Sequence, residues 1–187
     1  MKKGGLLLGL GWLLSGAVLG QSSSSENDSV VHIGDKVVFH WVDTAGREVR
    51  SDQFKARLVL VDFWASWCPV CRTETPHLYA LARQYATSKE GEIPDLVIYR
   101  VSLDDNPALL KKTLREWNTA EGVVNVWDSL SMNTPWRKRL GFLGVPHKII
   151  LDTEGRLMEN DVTLQTVRLY IKAEKERPSR PWFKFLR

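Results

Sequence analysis

The sequence predicts an α/β fold in which helices flank a mixed β-sheet. Apolar segments of strand length alternate with segments whose apolar residues recur every three or four positions, and a hairpin pattern precedes the last helix. The chain has 187 residues, of which 43% are hydrophobic, so it is long enough to form one domain with a substantial core.

The first predicted elements are a hairpin and a buried strand. Alternating apolar residues around a turn predict hairpin strands at residues 37–42 and 48–50. Residues 58–64, LVLVDFW, are a continuous apolar run broken only by Asp62. Such a run is typical of a central strand that is covered on both faces.

A helix follows the central strand. It begins at Cys68, with Pro69 at a position where the missing N–H costs nothing, and Pro76 predicts a kink. Asn106 is the predicted cap of the second helix. The remaining predicted elements are strands at residues 96–102, 123–127, 148–151 and 156–158, and helices at residues 134–140 and 162–174.

The N-terminus has the pattern of an export signal. Lys2 and Lys3 precede an apolar stretch that ends in small residues near Gly20. We expect cleavage after Gly20 and a location outside the cytoplasm; an uncleaved membrane anchor is the alternative, although the stretch is short for a span of ~20 residues. The predicted organisation is a signal peptide at 1–20, a flexible linker at 21–29, the folded domain at 30–176 and a basic, aromatic tail at 177–187.

The charge pattern argues against nucleic-acid binding. The formal net charge is +4, and without Lys2 and Lys3 the chain has 24 basic and 22 acidic residues. These charges are interspersed along the chain rather than clustered in a basic stripe.

The two cysteines, Cys68 and Cys71, are the only ones in the chain, so no other pair is available for a structural disulfide. At a helix N-terminus the pKa of Cys68 should lie below the ~8.5 of a free cysteine, which makes it the attacking nucleophile. Cys71, one turn later and expected to be more buried, would resolve the mixed disulfide.

Two other interpretations of the cysteine pair are a metal site and an inert buried pair. A zinc site needs two further ligands, and the four histidines show no ligand spacing with the cysteines, so we expect neither a metal nor a cofactor. An inert pair is hard to explain beside Trp67 and Pro69 at a strand-to-helix junction.

The motif VDFWASWCPVC, followed by Pro76 and later by GVP, resembles the thioredoxin superfamily. The segment CRTETP makes the chain most similar to the exported TlpA-like and ResA-like thiol-disulfide oxidoreductases. The resemblance covers about residues 37–175. It implies a thioredoxin-like three-layer fold with an N-terminal β-hairpin and a helix-containing insertion between central strands.

The resemblance also implies how substrate is bound. Pro146 would be a cis-proline that lies against the cysteines and aligns an incoming peptide, and Val145 would offer its backbone groups. Trp67 would shield the sulfurs and contribute to the docking surface. Pro69 and Val70, between the cysteines, would contact substrate and influence the reduction potential.

Two acidic residues complete the candidate catalytic set. Asp62 occupies the place of the buried acid of thioredoxins, where TlpA-like proteins often have Asn, and it could exchange a proton with Cys71. The alternative is an Asp satisfied by neighbouring polar groups. Glu74 matches an acid that tunes the thiols in ResA-like proteins; otherwise it is an ordinary exposed residue. His147 follows the proline and is not assigned to catalysis.

The predicted function is reduction of disulfides in exported proteins, with a membrane electron donor or another thiol-disulfide carrier resetting the cysteines. The resemblance favours this direction, which the residues alone leave open. The rivals are a thiol peroxidase of peroxiredoxin type and a noncatalytic module that binds peptides.

Overall fold

A computed structural model describes residues 29–53, 55–87 and 92–177. The predicted signal peptide, nearly all of the predicted linker and all but the first residue of the predicted tail lie outside the described residues. The strands are β1 His40–Asp43, β2 Glu48–Arg50, β3 Leu58–Trp64, β4 Leu96–Ser102, β5 Val123–Trp127, β6 His147–Asp152 and β7 Leu157–Asn160. The helices are α1 Pro69–Tyr85, α2 Pro107–Trp117, α3 Pro135–Arg139 and α4 Leu164–Glu176.

The seven strands form one mixed sheet in the order β2-β1-β5-β4-β3-β6-β7. Strands β3, β4 and β5 are parallel, and α1 and α2 connect them. Strand β6 pairs antiparallel with β3 on the other side, so β3 lies between two hydrogen-bonded neighbours and is buried along its whole length. The turn after β3 leads directly into α1, which places Cys68 at the carboxyl end of a central strand.

Alternate residues of the central strands face two different layers. Leu58 and Leu60 pack with α1 and α4, and Val59, Val61 and Phe63 pack against the N-terminal segment, α3 and the loop after it. The predicted three-layer fold is therefore confirmed. No helix in the described part of the chain is both long and apolar enough to span a membrane.

The predicted elements are all present, with shifts at some ends. Strands β3, β4 and β5 have the predicted bounds, whereas β1 begins at His40 rather than at residue 37. The reason is that the N–H of Val37 donates to Gly155 O, in the turn between β6 and β7, rather than to the hairpin partner. Helix α4 begins two residues later than predicted because Thr163 caps it.

Candidate active site

Cys68 is the N-cap residue of α1, and its sulfur takes part in the cap. The Cys71 N–H donates to Cys68 Sγ at 3.1 Å, and Pro69 occupies the first turn as predicted. The first turn contains no acidic residue, so no carboxylate there opposes a negative charge on Cys68. The Cys68 and Cys71 sulfurs are joined in a disulfide.

Both cysteines are covered by protein. In this disulfide form Cys68 and Cys71 are 3% and 2% exposed, so the expected greater depth of Cys71 is not seen. The reason is that Val145 lies against Cys68, with its carbonyl oxygen 3.5 Å from Sγ. The Val145–Pro146 peptide bond is cis, which confirms the predicted geometry.

Exposed apolar side chains surround the covered disulfide. Trp67 is 53% exposed and Val70 is 56% exposed. Pro69 is also exposed, and Val145 and Pro146 are half-buried. The structure thus brings together all five residues that the sequence assigned to substrate binding, on the surface around Cys68.

A buried carboxylate holds the turn between β3 and α1. Asp104 is fully buried and accepts hydrogen bonds from the Ser66 N–H, from the Ser66 hydroxyl at 2.6 Å and from the Ser102 hydroxyl at 2.7 Å. The N–H of Leu103, just after β4, donates to the carbonyl oxygen of Trp64, the last residue of β3. These bonds fix the backbone that leads into Cys68.

Asp62 lies in the centre of the sheet, on the face that α1 covers, and is 2% exposed. In the sheet it is aligned with Arg100 of β4 and with Lys148 of β6. Its Oδ2 accepts from Arg100 Nε at 3.1 Å, and its Oδ1 lies 3.7 Å from Lys148 Nζ. The carboxylate is therefore not isolated among apolar groups, because each flanking strand presents a cation to it.

Arg100 connects this carboxylate to the cysteines. Its guanidinium lies 4.1 Å from the ring centroid of Trp64, which packs in one cluster with Cys68 and Cys71. Its Nη2 donates to Thr75 Oγ1 at 3.2 Å, and the Thr75 hydroxyl donates to Cys71 O. The buried charges and Cys71 are thus parts of one packed network.

Glu74 lies one turn after Cys71 on α1. Its Oε2 is 2.6 Å from Lys148 Nζ, and its side chain is 39% exposed. It is consequently not an unattached surface acid, since a buried lysine binds it from below.

His147, which follows the cis-proline, is buried and lies on the face of the sheet opposite to Asp62 and Lys148. Its Nε2 is 2.9 Å from Asn160 Oδ1, and its ring stacks on Phe142. Burial lowers the pKa of His147, while the Asn160 hydrogen bond and the nearby Asp161 carboxylate oppose this effect.

The sequence interpretation missed three buried charged residues near the cysteines: Arg100, Lys148 and Asp104. A signal for two of them was present, because Arg100 interrupts the apolar run of β4, as Asp62 interrupts that of β3, and Lys148 directly precedes the apolar residues of β6. Only the strand register shows that Asp62, Arg100 and Lys148 are neighbours.

The chain matches the AhpC/TSA family over residues 33–160, and it belongs to that family. Over 116 residues it is 28% identical to the thiol:disulfide interchange protein DsbE of Pseudomonas aeruginosa. That alignment covers 61% of this chain and 56% of DsbE, so the chain spans little more than half of that relative.

A second relative is matched over most of its length. Thiol-disulfide oxidoreductase ResA of Bacillus cereus is 24% identical over 166 residues, which cover 86% of this chain and 90% of ResA. Among solved structures, the C-terminal domain of a thiol-disulfide oxidoreductase from Bacteroides thetaiotaomicron aligns with a TM-score of 0.66 at 17% identity. This alignment covers 81% of the chain and 99% of the domain, and it shows that the two share a fold.

Replacing Arg100 tests how the charges under α1 are held. The substitution Arg100→Met should lower the free energy of unfolding by about 3 to 5 kcal/mol, because Asp62 loses its hydrogen-bonded partner inside the core. Urea denaturation measures this change. Arg57→Met is the matched control: Arg57 pairs with Asp95 at the surface, and its loss should cost less than about 1 kcal/mol. Equal losses of stability in the two variants would contradict the conclusion that Arg100 stabilises the buried Asp62 carboxylate.

Burial of His147 predicts a dependence of stability on pH. The pKa of His147 is lowered in the folded protein. At pH values between this lowered pKa and the unfolded value of about 6.5, the unfolded chain binds more protons than the folded protein. The free energy of unfolding therefore falls as the pH drops through this range. When the pH is lowered from about 7.5 to about 5, the His147→Gln variant should lose less free energy of unfolding than the unmodified protein. Urea midpoints across pH measure it, with His77→Gln at an exposed position as control. Identical pH profiles for His147→Gln and the unmodified protein would contradict the prediction.

Proposed function

We propose that this member of the AhpC/TSA family is a thiol-disulfide oxidoreductase that reduces disulfides of other proteins through Cys68 and Cys71. The observation that carries the proposal is the position of Cys68 at the N-terminus of α1, where its sulfur accepts the Cys71 N–H and is disulfide-bonded to Cys71. The relatives named DsbE and ResA are described as a thiol:disulfide interchange protein and a thiol-disulfide oxidoreductase, which supports the same chemistry here.

In the proposed reaction the Cys68 thiolate attacks a substrate disulfide and forms a mixed disulfide. The Cys71 thiol loses its proton and attacks Cys68 Sγ, so the substrate leaves as a dithiol and the Cys68–Cys71 disulfide forms. The two electrons therefore move from the enzyme to the substrate. A second thiol or electron carrier must reduce the enzyme before the next cycle.

Reduction is the proposed direction because little besides the helix end stabilises the Cys68 thiolate. Strong oxidants of this kind have a stabilised reduced form. The side chains between the cysteines, Pro69 and Val70, supply neither a positive charge nor a hydrogen-bond donor. The Arg72 guanidinium lies over the Trp117 ring, 5.9 Å from its centroid. We therefore expect a reduction potential nearer to the about −270 mV of thioredoxin than to the about −120 mV of DsbA.

The apolar rim around the disulfide is the proposed docking surface. Trp67, Val70 and Pro69 on one side and Val145 with Pro146 on the other would hold an extended peptide so that its disulfide meets Cys68. Val145 is half-buried, and its backbone is the proposed pairing partner of such a peptide. Glutathione and other small disulfides would use less of this surface, so proteins are the proposed substrates.

We also propose assisting roles for two acids. Asp62, beneath the first turns of α1, would receive the proton of Cys71 when the mixed disulfide is resolved. Glu74, bound to Lys148, lies on the solvent side of the same network.

The proposed location is outside the cytoplasm, with a domain organisation of export signal, linker, domain and tail. The support is the pattern of residues 1–20, with Lys2 and Lys3 before an apolar stretch. An enzyme that reduces disulfides in an oxidising compartment needs electrons from elsewhere, so a membrane electron donor or another thiol-disulfide carrier is the proposed partner.

The variant Cys71→Ser tests the mechanism. Its Cys68 should still attack disulfides but should not resolve them, so catalytic turnover falls to background while mixed disulfides with substrate proteins accumulate. Non-reducing electrophoresis and mass spectrometry of the protein isolated from its own cells would identify what is bound at Cys68.

The control is the double variant with Cys68→Ser and Cys71→Ser, which should trap nothing. Equal amounts of captured protein in the two variants would refute the exchange mechanism.

Two other outcomes would support the alternative functions. If the unmodified dithiol reacts much faster with dilute peroxide than with protein disulfides, the thiol peroxidase is the correct function. If both cysteine variants retain the protein's biological effect, the noncatalytic module is correct.

A further inference from the structure

Four charged side chains form a line from the middle of the sheet to solvent. Arg100, Asp62 and Lys148 are aligned across β4, β3 and β6, and Glu74 of α1 lies above Lys148. The Asp62 and Lys148 side chains are 3% and 5% exposed, whereas the Glu74 side chain is 39% exposed. The line therefore has a buried end and a solvent end.

The two oxygens of Asp62 have different environments. Oδ2 accepts the Arg100 hydrogen bond, whereas Oδ1 accepts none from any residue that the structure describes. The ammonium of Lys148 lies 3.7 Å from this Oδ1 and 2.6 Å from Glu74 Oε2. A movement of Nζ by about 1 Å would bring it within hydrogen-bond distance of Oδ1.

Lys148 is not required to neutralise Asp62, because Arg100 already pairs with that carboxylate. A buried ammonium is costly in free energy, and a buried ion pair is often no more stabilising than apolar residues of the same volume. The position of Lys148 is thus better explained by chemistry than by stability. It is the group that separates the buried acid from the accessible one.

We propose that Lys148 is a positioning residue that joins Asp62 to Glu74 and passes the proton of the resolving thiol to solvent. The inference rests on the proposed function, in which Asp62 takes a proton from Cys71. Asp62 is almost fully buried, so a proton that it receives needs a route out before the next cycle. Lys148 and Glu74 supply that route.

The relay passes one proton from Cys71 to water in four transfers. The Cys71 thiol gives its proton to the Asp62 carboxylate, and the Cys71 thiolate attacks Cys68 Sγ, which breaks the bond to the substrate sulfur and releases a substrate thiolate. Lys148 then gives one ammonium proton to the Glu74 carboxylate and takes the proton from Asp62. Glu74 releases its proton to water, so all three relay groups return to their starting charges.

Three other charged or titratable side chains lie next to the relay. Arg100 of β4 faces Asp62 but does not deprotonate in proteins. Tyr79 of α1 is a further titratable group on the network, and its hydroxyl accepts from Arg100 Nη1. His147, adjacent to Lys148 on β6, points to the opposite face of the sheet, where it stacks on Phe142.

The test follows the two steps of the reaction separately. The reduced full-length protein is mixed with excess 5,5′-dithiobis(2-nitrobenzoate). The first thionitrobenzoate released reports attack by Cys68, and the second, at a rate independent of reagent concentration, reports ring closure by Cys71. Both rates are measured across pH for Glu74→Gln, for Asp62→Asn and for the double variant.

Glu74→Gln should slow the second release by about tenfold near neutral pH and move its pH–rate profile to higher pH, because hydroxide must then remove the proton. The first release should stay within about twofold. In the Asp62→Asn background Glu74→Gln should have no further effect, since the relay is already interrupted. The matched control is Glu116→Gln, which removes one exposed carboxylate on α2 and should change neither rate.

Lys148→Arg separates proton transfer from charge. A guanidinium keeps the positive charge between the two carboxylates but does not give up a proton, so the second release should slow although the ion pairs remain. Circular dichroism checks that this buried variant folds, and the partly exposed Glu74→Gln provides the test if it does not.

Three results would overturn the relay. They are an unchanged second release in Glu74→Gln, an equal slowing by Glu74→Gln with and without Asp62, and a normal second release in folded Lys148→Arg. A change confined to the first release would show that Glu74 acts on Cys68 instead. If the unmodified protein releases no thionitrobenzoate from Cys68, the proposed function itself is refuted, and the relay with it.

Discussion

The contact between the Cys68 sulfur and the first turn of α1 is the constraint on which the site depends. Cys68 serves as a helix cap, so its sulfur lies at the positive end of the helix and accepts a backbone N–H from Cys71. The Asp104 carboxylate fixes the preceding turn, and Val145 covers the sulfur from the other side. The sheet and its loops thus act together to hold one sulfur at one helix end.

The second feature is a set of charges inside the sheet. Asp62 has a cation on each neighbouring strand, and these ion pairs offset part of the cost of burying the carboxylate. Arg100 also lies against Trp64 and Tyr79, whose rings favour a cation over their faces. Because Trp64 packs with the cysteines, the charges and the disulfide share one rigid support.

The sequence predicts most of this fold because its signals are local. The strands Leu58–Trp64 and Leu96–Ser102 are long apolar runs bounded by polar residues, and their limits were predicted correctly. The start of β1 was wrong because alternation does not reveal the bonding partner of Val37. Likewise, the cysteines and the cis-proline belong to short motifs, whereas the contact of Lys148 with Asp62 and Glu74 depends on register and on how α1 packs.

The most direct test of how the helix end activates Cys68 is a titration of its thiol in the Cys71→Ser variant, followed by the ultraviolet absorbance of the thiolate. We expect Cys68 to ionise with a pKa clearly below the about 8.5 of a free cysteine, because the helix end and the backbone N–H of residue 71 stabilise the thiolate. A Cys68 pKa at or above that value would show that the helix end does not activate the sulfur.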